Sequence, residues 1–142
     1  LGQDAKPTFV AGAWPTARLS PDGSHVAYTR LSPRLRNIYV ETIPPSGNPT
    51  QVSQDGGRDP VWRADGHELF FAAGENRLMA ATVVRGKPAR FGVPKALFTL
   101  PLAEDRTWDI NLDASRILVS VPRTTTQPAL KVIRNWSIDG AR

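Results

Sequence analysis

Apolar and polar residues alternate along this chain in short runs, and the runs recur. His25-Val26-Ala27-Tyr28-Thr29, Glu68-Leu69-Phe70-Phe71-Ala72 and Arg116-Ile117-Leu118-Val119-Ser120-Val121 each follow a turn-forming tetrapeptide. The three tetrapeptides are Ser20-Pro21-Asp22-Gly23, Arg63-Ala64-Asp65-Gly66 and Asn111-Leu112-Asp113-Ala114. The second stands 43 residues after the first, and the third 48 residues after the second. Asp-Gly between two extended runs specifies a tight hairpin, because Gly takes positive φ without a steric penalty. Three such hairpins at a period in the forties predict a repeat architecture.

The remaining alternating segments complete each repeat. The first unit reads as strands over 17–20, 25–30, 37–43 and 50–53, broken by Pro33 and by Pro44-Pro45-Ser46-Gly47. The second reads as strands over 60–63, 68–73, 77–84 and 95–100. The third has strands over 108–112, 116–121 and 130–136 and lacks a fourth. A Pro-Thr-x-Val pattern opens the fourth strand of the first unit at Pro49-Thr50-Gln51-Val52, and the same pattern stands at Pro7-Thr8-Phe9-Val10. That segment is a fourth strand with no unit of its own. No stretch shows a 3.6-residue apolar period long enough for a helix.

Four-stranded units at this period are propeller blades. The order of apolar strand, Ser-Pro-Asp-Gly, apolar strand, Tyr-Val strand and Pro-x-x-Val resembles the TolB-type, WD40-like (PD40) repeat. Asp59-Pro60-Val61-Trp62-Arg63-Ala64-Asp65-Gly66 is close to that pattern, with Arg63-Ala64 where Ser-Pro is usual. Leu130-Lys131-Val132-Ile133-Arg134-Asn135-Trp136 resembles the last blade of propellers in bacterial sensor kinases and regulators. The resemblance implies an all-β propeller segment of three blades, half of a six-bladed ring. Residues 1–12 would be a closing fourth strand, with blades over 13–54, 55–101 and 102–142. It also implies a binding or scaffolding module, because this repeat decorates unrelated proteins. The alternative it allows is the propeller portion of a larger enzyme, such as a prolyl-oligopeptidase-like peptidase, or the sensor part of a Ser/Thr kinase.

Composition narrows the picture in three ways. Thirteen Pro and eleven Gly suit many turns and few helices. The absence of Cys excludes disulfides and thiolate metal sites. No apolar run approaches the roughly 20 residues of a membrane helix, so membrane insertion by a helix is not expected. The chain begins at Leu1 with no charged-then-apolar leader, and reads as a mature, truncated or excised segment. The net charge of +5 is scattered among Arg residues rather than gathered on one stripe with interleaved aromatics, which argues against nucleic acid as partner.

The motifs of catalysis are missing. Asp109-x-Asn111-x-Asp113 opens like a calcium loop, but Ala114 and Ser120 stand where Gly and Glu are needed. Ser20, Asp22 and His25 share one hairpin without a Gly-x-Ser-x-Gly elbow, and no phosphate-binding Gly-Lys-Ser/Thr loop exists. Neither a cofactor nor a metal is expected, and no catalytic residue is assigned. In a meandering blade the loops entering the first strand and joining strands two and three share one rim, opposite the Asp-Gly turns. That rim carries the candidate binding residues Trp14, Arg34, Arg36, Arg58, Asp59, Arg106 and Trp108. Mixed charge with two aromatics suits a protein or peptide partner. With a bare face at each end, the chain is also expected to self-associate into the six-bladed ring or to pack on further blades of a longer parent.

Overall fold

The computed structural model describes residues 16–101, 108–121 and 129–134. All regular structure among them is β, in three antiparallel sheets that follow one another along the chain. The first sheet is a meander of β1 (Arg18–Leu19), β2 (His25–Leu31), β3 (Arg36–Thr42) and β4 (Thr50–Gln51). The second runs β5 (Arg58–Trp62), β6 (Glu68–Ala73) and β7 (Arg77–Val84), and then divides its outer strand in two. β8 (Arg90–Phe91) pairs with Val83 and Val84, while β9 (Lys95–Thr99) pairs with the first half of β7. The sequence pattern shows only the second piece, because a two-residue strand is too short to display alternation. The third sheet is β10 (Trp108–Ile110), β11 (Arg116–Val121) and β12 (Ala129–Arg134).

The three hairpin turns are built alike, including the one whose sequence has drifted. Gly23 N donates to Ser20 O, Gly66 N to Arg63 O and Ala114 N to Asn111 O, all within 2.8–2.9 Å. In each, Oδ1 of the turn aspartate accepts the backbone N–H two residues on: Ser24, His67 and Ser115. The residue opening each turn also reaches that aspartate. Ser20 Oγ donates to Asp22 at 2.6 Å, Arg63 Nε pairs with Asp65 at 3.1 Å and Asn111 Nδ2 donates to Asp113 at 2.6 Å. Ala114 holds φ +58° where Gly23 and Gly66 hold +69° and +71°. The aspartate bonds thus enforce the left-handed residue even where the sequence no longer supplies Gly, at a local cost of about 1–2 kcal/mol.

The faces of the sheets stack, and side-chain alternation decides which residue meets which neighbour. Leu69, Phe71, Ala81 and Val83 of the second sheet pack against Ala27, Ile38, Val40 and Val52 of the first. Phe70, Ala72, Leu78 and Ala80 turn the other way, onto Trp108, Ile117 and Val119 of the third. The second sheet is therefore covered on both faces, which is why β6 reads as an unbroken apolar run. Successive meanders stacked face to face are consecutive blades of a β-propeller.

The two outer faces differ. On the third sheet Leu118, Leu130 and Val132 are exposed, as expected of an end blade. On the first sheet Val26 and Tyr28 point away from the second sheet, yet both are buried, while Leu19 beside Val26 is exposed. Among the described residues the expectation of two bare faces is thus corrected to one. The closing strand read at residues 1–12 lies outside the described residues.

Candidate functional site

The rim opposite the Asp-Gly turns is shaped by the β2–β3 connection. Ser32 N and Oγ both donate to Leu35 O, at 2.9 and 3.1 Å, which closes a tight loop. Leu31 and Leu35 flank it at 58% and 49% exposure. Arg34 lies in the loop and Arg36 opens β3, both exposed. Arg30 lies over the Tyr39 ring, 5.5 Å from its centre, and Tyr39 stacks on buried Tyr28. Burial pushes the Tyr28 hydroxyl pKa above its ordinary value. The connection from the first sheet to the second passes alongside: Gly57 N donates to Arg36 O at 2.7 Å.

Arg58 and Asp59 are spent on this corner rather than offered to solvent. Arg58 Nη1 pairs with Asp59 at 2.7 Å and Nη2 donates to Asn76 Oδ1 at 2.5 Å. Asp59 and Asn76 both hold positive φ, at +54° and +60°. The network ties the entry into β5 to the β6–β7 loop, so these residues brace the rim. Trp108 does not belong to the rim. It is 6% exposed, paired in register with Val119, and packed in the core between second and third sheets. As the first residue of β10 it shares a face with Ile110 two positions on, and that face meets the second sheet. Trp14 and Arg106 lie outside the described residues. The Gly57 N–Arg36 O bond thus sets Arg36 beside the Arg58–Asp59 corner, with Arg34, Leu31 and Leu35 exposed on the adjoining loop, the two leucines being neighbours that charge-based reading passes over.

At the other end of the sheets, a cleft of about 230 Å³ opens between the first and second Asp-Gly turns. Trp62 and His25 line it, with Arg85 and Lys87 from the segment after β7. Trp62 Nε1 donates to Arg18 O at 3.0 Å, and its ring meets Phe91 at 6.4 Å. Arg85 Nη2 donates to Asp65 O, which fastens its guanidinium to the second turn. The repeat pattern gives no sign of the cleft, because Arg85 and Lys87 carry no motif. The one available signal was Trp62 itself, standing where the other repeats have Leu19 and Ile110.

The polar groups of the first turn form a closed relay. Asp22 Oδ1 accepts from Ser20 Oγ, Ser24 N and Ser24 Oγ, and these bonds, that of Ser20 foremost, hold the carboxyl well below the usual carboxylate range. Ser24 Oγ also lies 2.7 Å from His25 Nδ1. The Ser24 hydroxyl has one proton; given to Asp22, it leaves Nδ1 as the donor in its bond with Ser24. A nucleophilic serine needs the opposite arrangement, with its proton directed at the imidazole. In that tautomer of the neutral ring Nε2 is an acceptor; it is buried and has no partner among the described residues.

Among the described residues no group of three or more His, Cys, Asp or Glu side chains could hold a metal ion. No described helix is long and apolar enough to cross a membrane.

No protein-family model matches the chain, and no curated protein matches it. Among solved structures it is similar to the crystal structure of TolB from Acinetobacter baumannii, at 14% identity and a TM-score of 0.47. The match covers 87% of this chain and 41% of the TolB chain. The blade assignment stands on strand order and on the two interdigitated cores.

Proposed function

We propose that the chain is a non-catalytic binding module that takes a protein or peptide partner on the Leu31–Arg36 rim. The observation that supports this is the exposure of Leu31 and Leu35 on a braced loop that also carries Arg34 and Arg36. Exposed aliphatic side chains offer affinity by desolvation, and the flanking guanidinium groups select for carboxylates. The partner that fits is an acidic segment with one or two apolar residues between its charges. The Arg58–Asp59–Asn76 network and the Arg30–Tyr39 contact keep the surface in one shape, so little ordering is lost on binding.

Selection from a displayed random-peptide library on the immobilised chain tests this. Enriched peptides should combine Asp or Glu with Leu, Ile or Phe. Their binding should fall about tenfold or more with Arg34→Glu/Arg36→Glu, since each charge-assisted bond contributes about 1.5–3 kcal/mol. Leu31→Ser/Leu35→Ser should abolish it. Enrichment that survives both double variants would place binding elsewhere.

A further inference from the structure

We propose that the cleft between the first two Asp-Gly turns binds a small aromatic monocarboxylate whose ring carries one hydroxyl or N–H donor. The cleft is at the opposite end of the sheets from the Leu31–Arg36 rim, so this inference stands apart from the function proposed above.

Four observations converge on that chemistry. The first is a fixed aromatic wall. Trp62 is half-buried, and its bond to Arg18 O and its contact with Phe91 hold the indole in place, so a ligand ring stacks without ordering it. Pro21, Val83 and Ala89 add apolar lining beside it. The second is size. An apolar cavity of about 150 Å³ holds benzene, so about 230 Å³ takes a ring together with a short acid side chain. The third is charge. Arg85 and Lys87 face one carboxylate, Asp22. The Asp22 charge is already met by three donors on Oδ1, whereas the Arg85 bond to Asp65 O leaves further guanidinium N–H groups for a ligand carboxylate. The fourth is the unpartnered acceptor. His25 lines the cleft, and its Nε2 is a buried lone pair with no donor among the described residues. A buried acceptor left unmet is costly, and a phenol or indole N–H would satisfy it.

The test is a titration of the 142-residue chain with 4-hydroxyphenylacetate, phenylacetate and tyramine, followed by calorimetry and by the Trp62 indole N–H resonance. 4-Hydroxyphenylacetate should bind tightest and shift Trp62. Phenylacetate, lacking the ring donor, and tyramine, lacking the carboxylate, should each be about tenfold weaker. Lys87→Gln or Arg85→Gln should weaken the two acids about tenfold and leave tyramine unchanged. His25→Phe should erase the difference between the hydroxylated and plain acids. Trp62→Leu should remove binding while the amide spectrum stays folded. Tyramine binding as tightly as the acids would overturn the proposal. So would acid binding indifferent to Lys87 and Arg85, or the absence of a Trp62 shift at millimolar ligand.

Discussion

Leu118 stands in the third sheet where Phe70 stands in the second. Phe70 pairs in register with Ala80 and is fully buried against the third sheet. Leu118 pairs in the same way with Val132, and Leu130 takes the place of Leu78. These three residues are 42%, 47% and 72% exposed for Leu118, Val132 and Leu130. The repeat therefore defines what this face is shaped for, which is the inner face of another blade.

The exposed apolar area that the described residues offer on this face is small for a dimer. Covering the uncovered parts of three aliphatic side chains would contribute about 2–5 kcal/mol, against the roughly 8 kcal/mol that micromolar association requires. At low micromolar concentration, light scattering should give a 15.5 kDa monomer, unchanged by Leu118→Lys. A dimer there that dissolves on deletion of residues 1–12 would support exchange of the strand read over them instead.

Gly57 is the tightest backbone passage in the rim. A Cβ there would lie 2.8 Å from Ile38 Cγ1 and from Ser53 Oγ, and 3.2 Å from Phe71. Ser53 Oγ cannot give way cheaply, because it accepts from Ile38 N and donates to Asn37 Oδ1. Gly57→Ala should destabilise the chain by about 1–3 kcal/mol in chemical denaturation, whereas Gly23→Ala, with open space around its Cβ, should cost only the strain of its positive φ.

Acid should loosen the first sheet. Burial pushes the Glu41 pKa up, but hydrogen bonds from Ser46 Oγ and N and from Thr42 N and Oγ1 outweigh it and hold the group low. A carboxyl depressed in the folded state contributes stability above its unfolded pKa and loses it as pH falls through the folded one. Stability should therefore drop below about pH 4. Glu41→Gln should flatten that drop, and at pH 7 it should cost about 1 kcal/mol, because a neutral amide oxygen replaces the charged acceptor of the four bonds in the 42–46 turn.

Asp65→Ala and Asp113→Ala should lower the unfolding midpoint comparably. Sequence alone ranks Asp113 as the lesser, because Ala114 has replaced Gly. The structure gives both the same backbone bond, and Asp113 gains Asn111 Nδ2 in place of the Arg63 pairing at Asp65. Hydrogen bonds from Ser115 foremost hold the Asp113 carboxyl below its ordinary pKa. A midpoint shift confined to Asp65→Ala would show that Ala114 has already loosened the third turn.

The strands and turns were legible because each repeat checks the others. An Asp-Gly turn seen once is a hint; the same turn before three apolar runs sets strand order and register. What escaped depends on partners distant in sequence. Trp108 looked like a rim residue because it stands at the end of its strand, and its burial comes from packing against Phe70 and Leu78, some 30 to 38 residues earlier. Arg58 looked available because its bond to Asn76 spans 18 residues. The cleft escaped because it belongs to two repeats at once, and the repeat pattern describes one at a time.

The sandwiching of β6 and β7 sets how freely each part of the chain can vary. At Leu69, Phe70, Phe71 and Ala72 every successive side chain enters one core or the other, so no position there is free to accept a polar residue. On β11 the same stretch has one free face, and Leu118 and Ser120 carry no such restriction. A saturation mutagenesis scan should find its most intolerant stretch in the middle repeat, with alternate positions of the last one open to polar substitution.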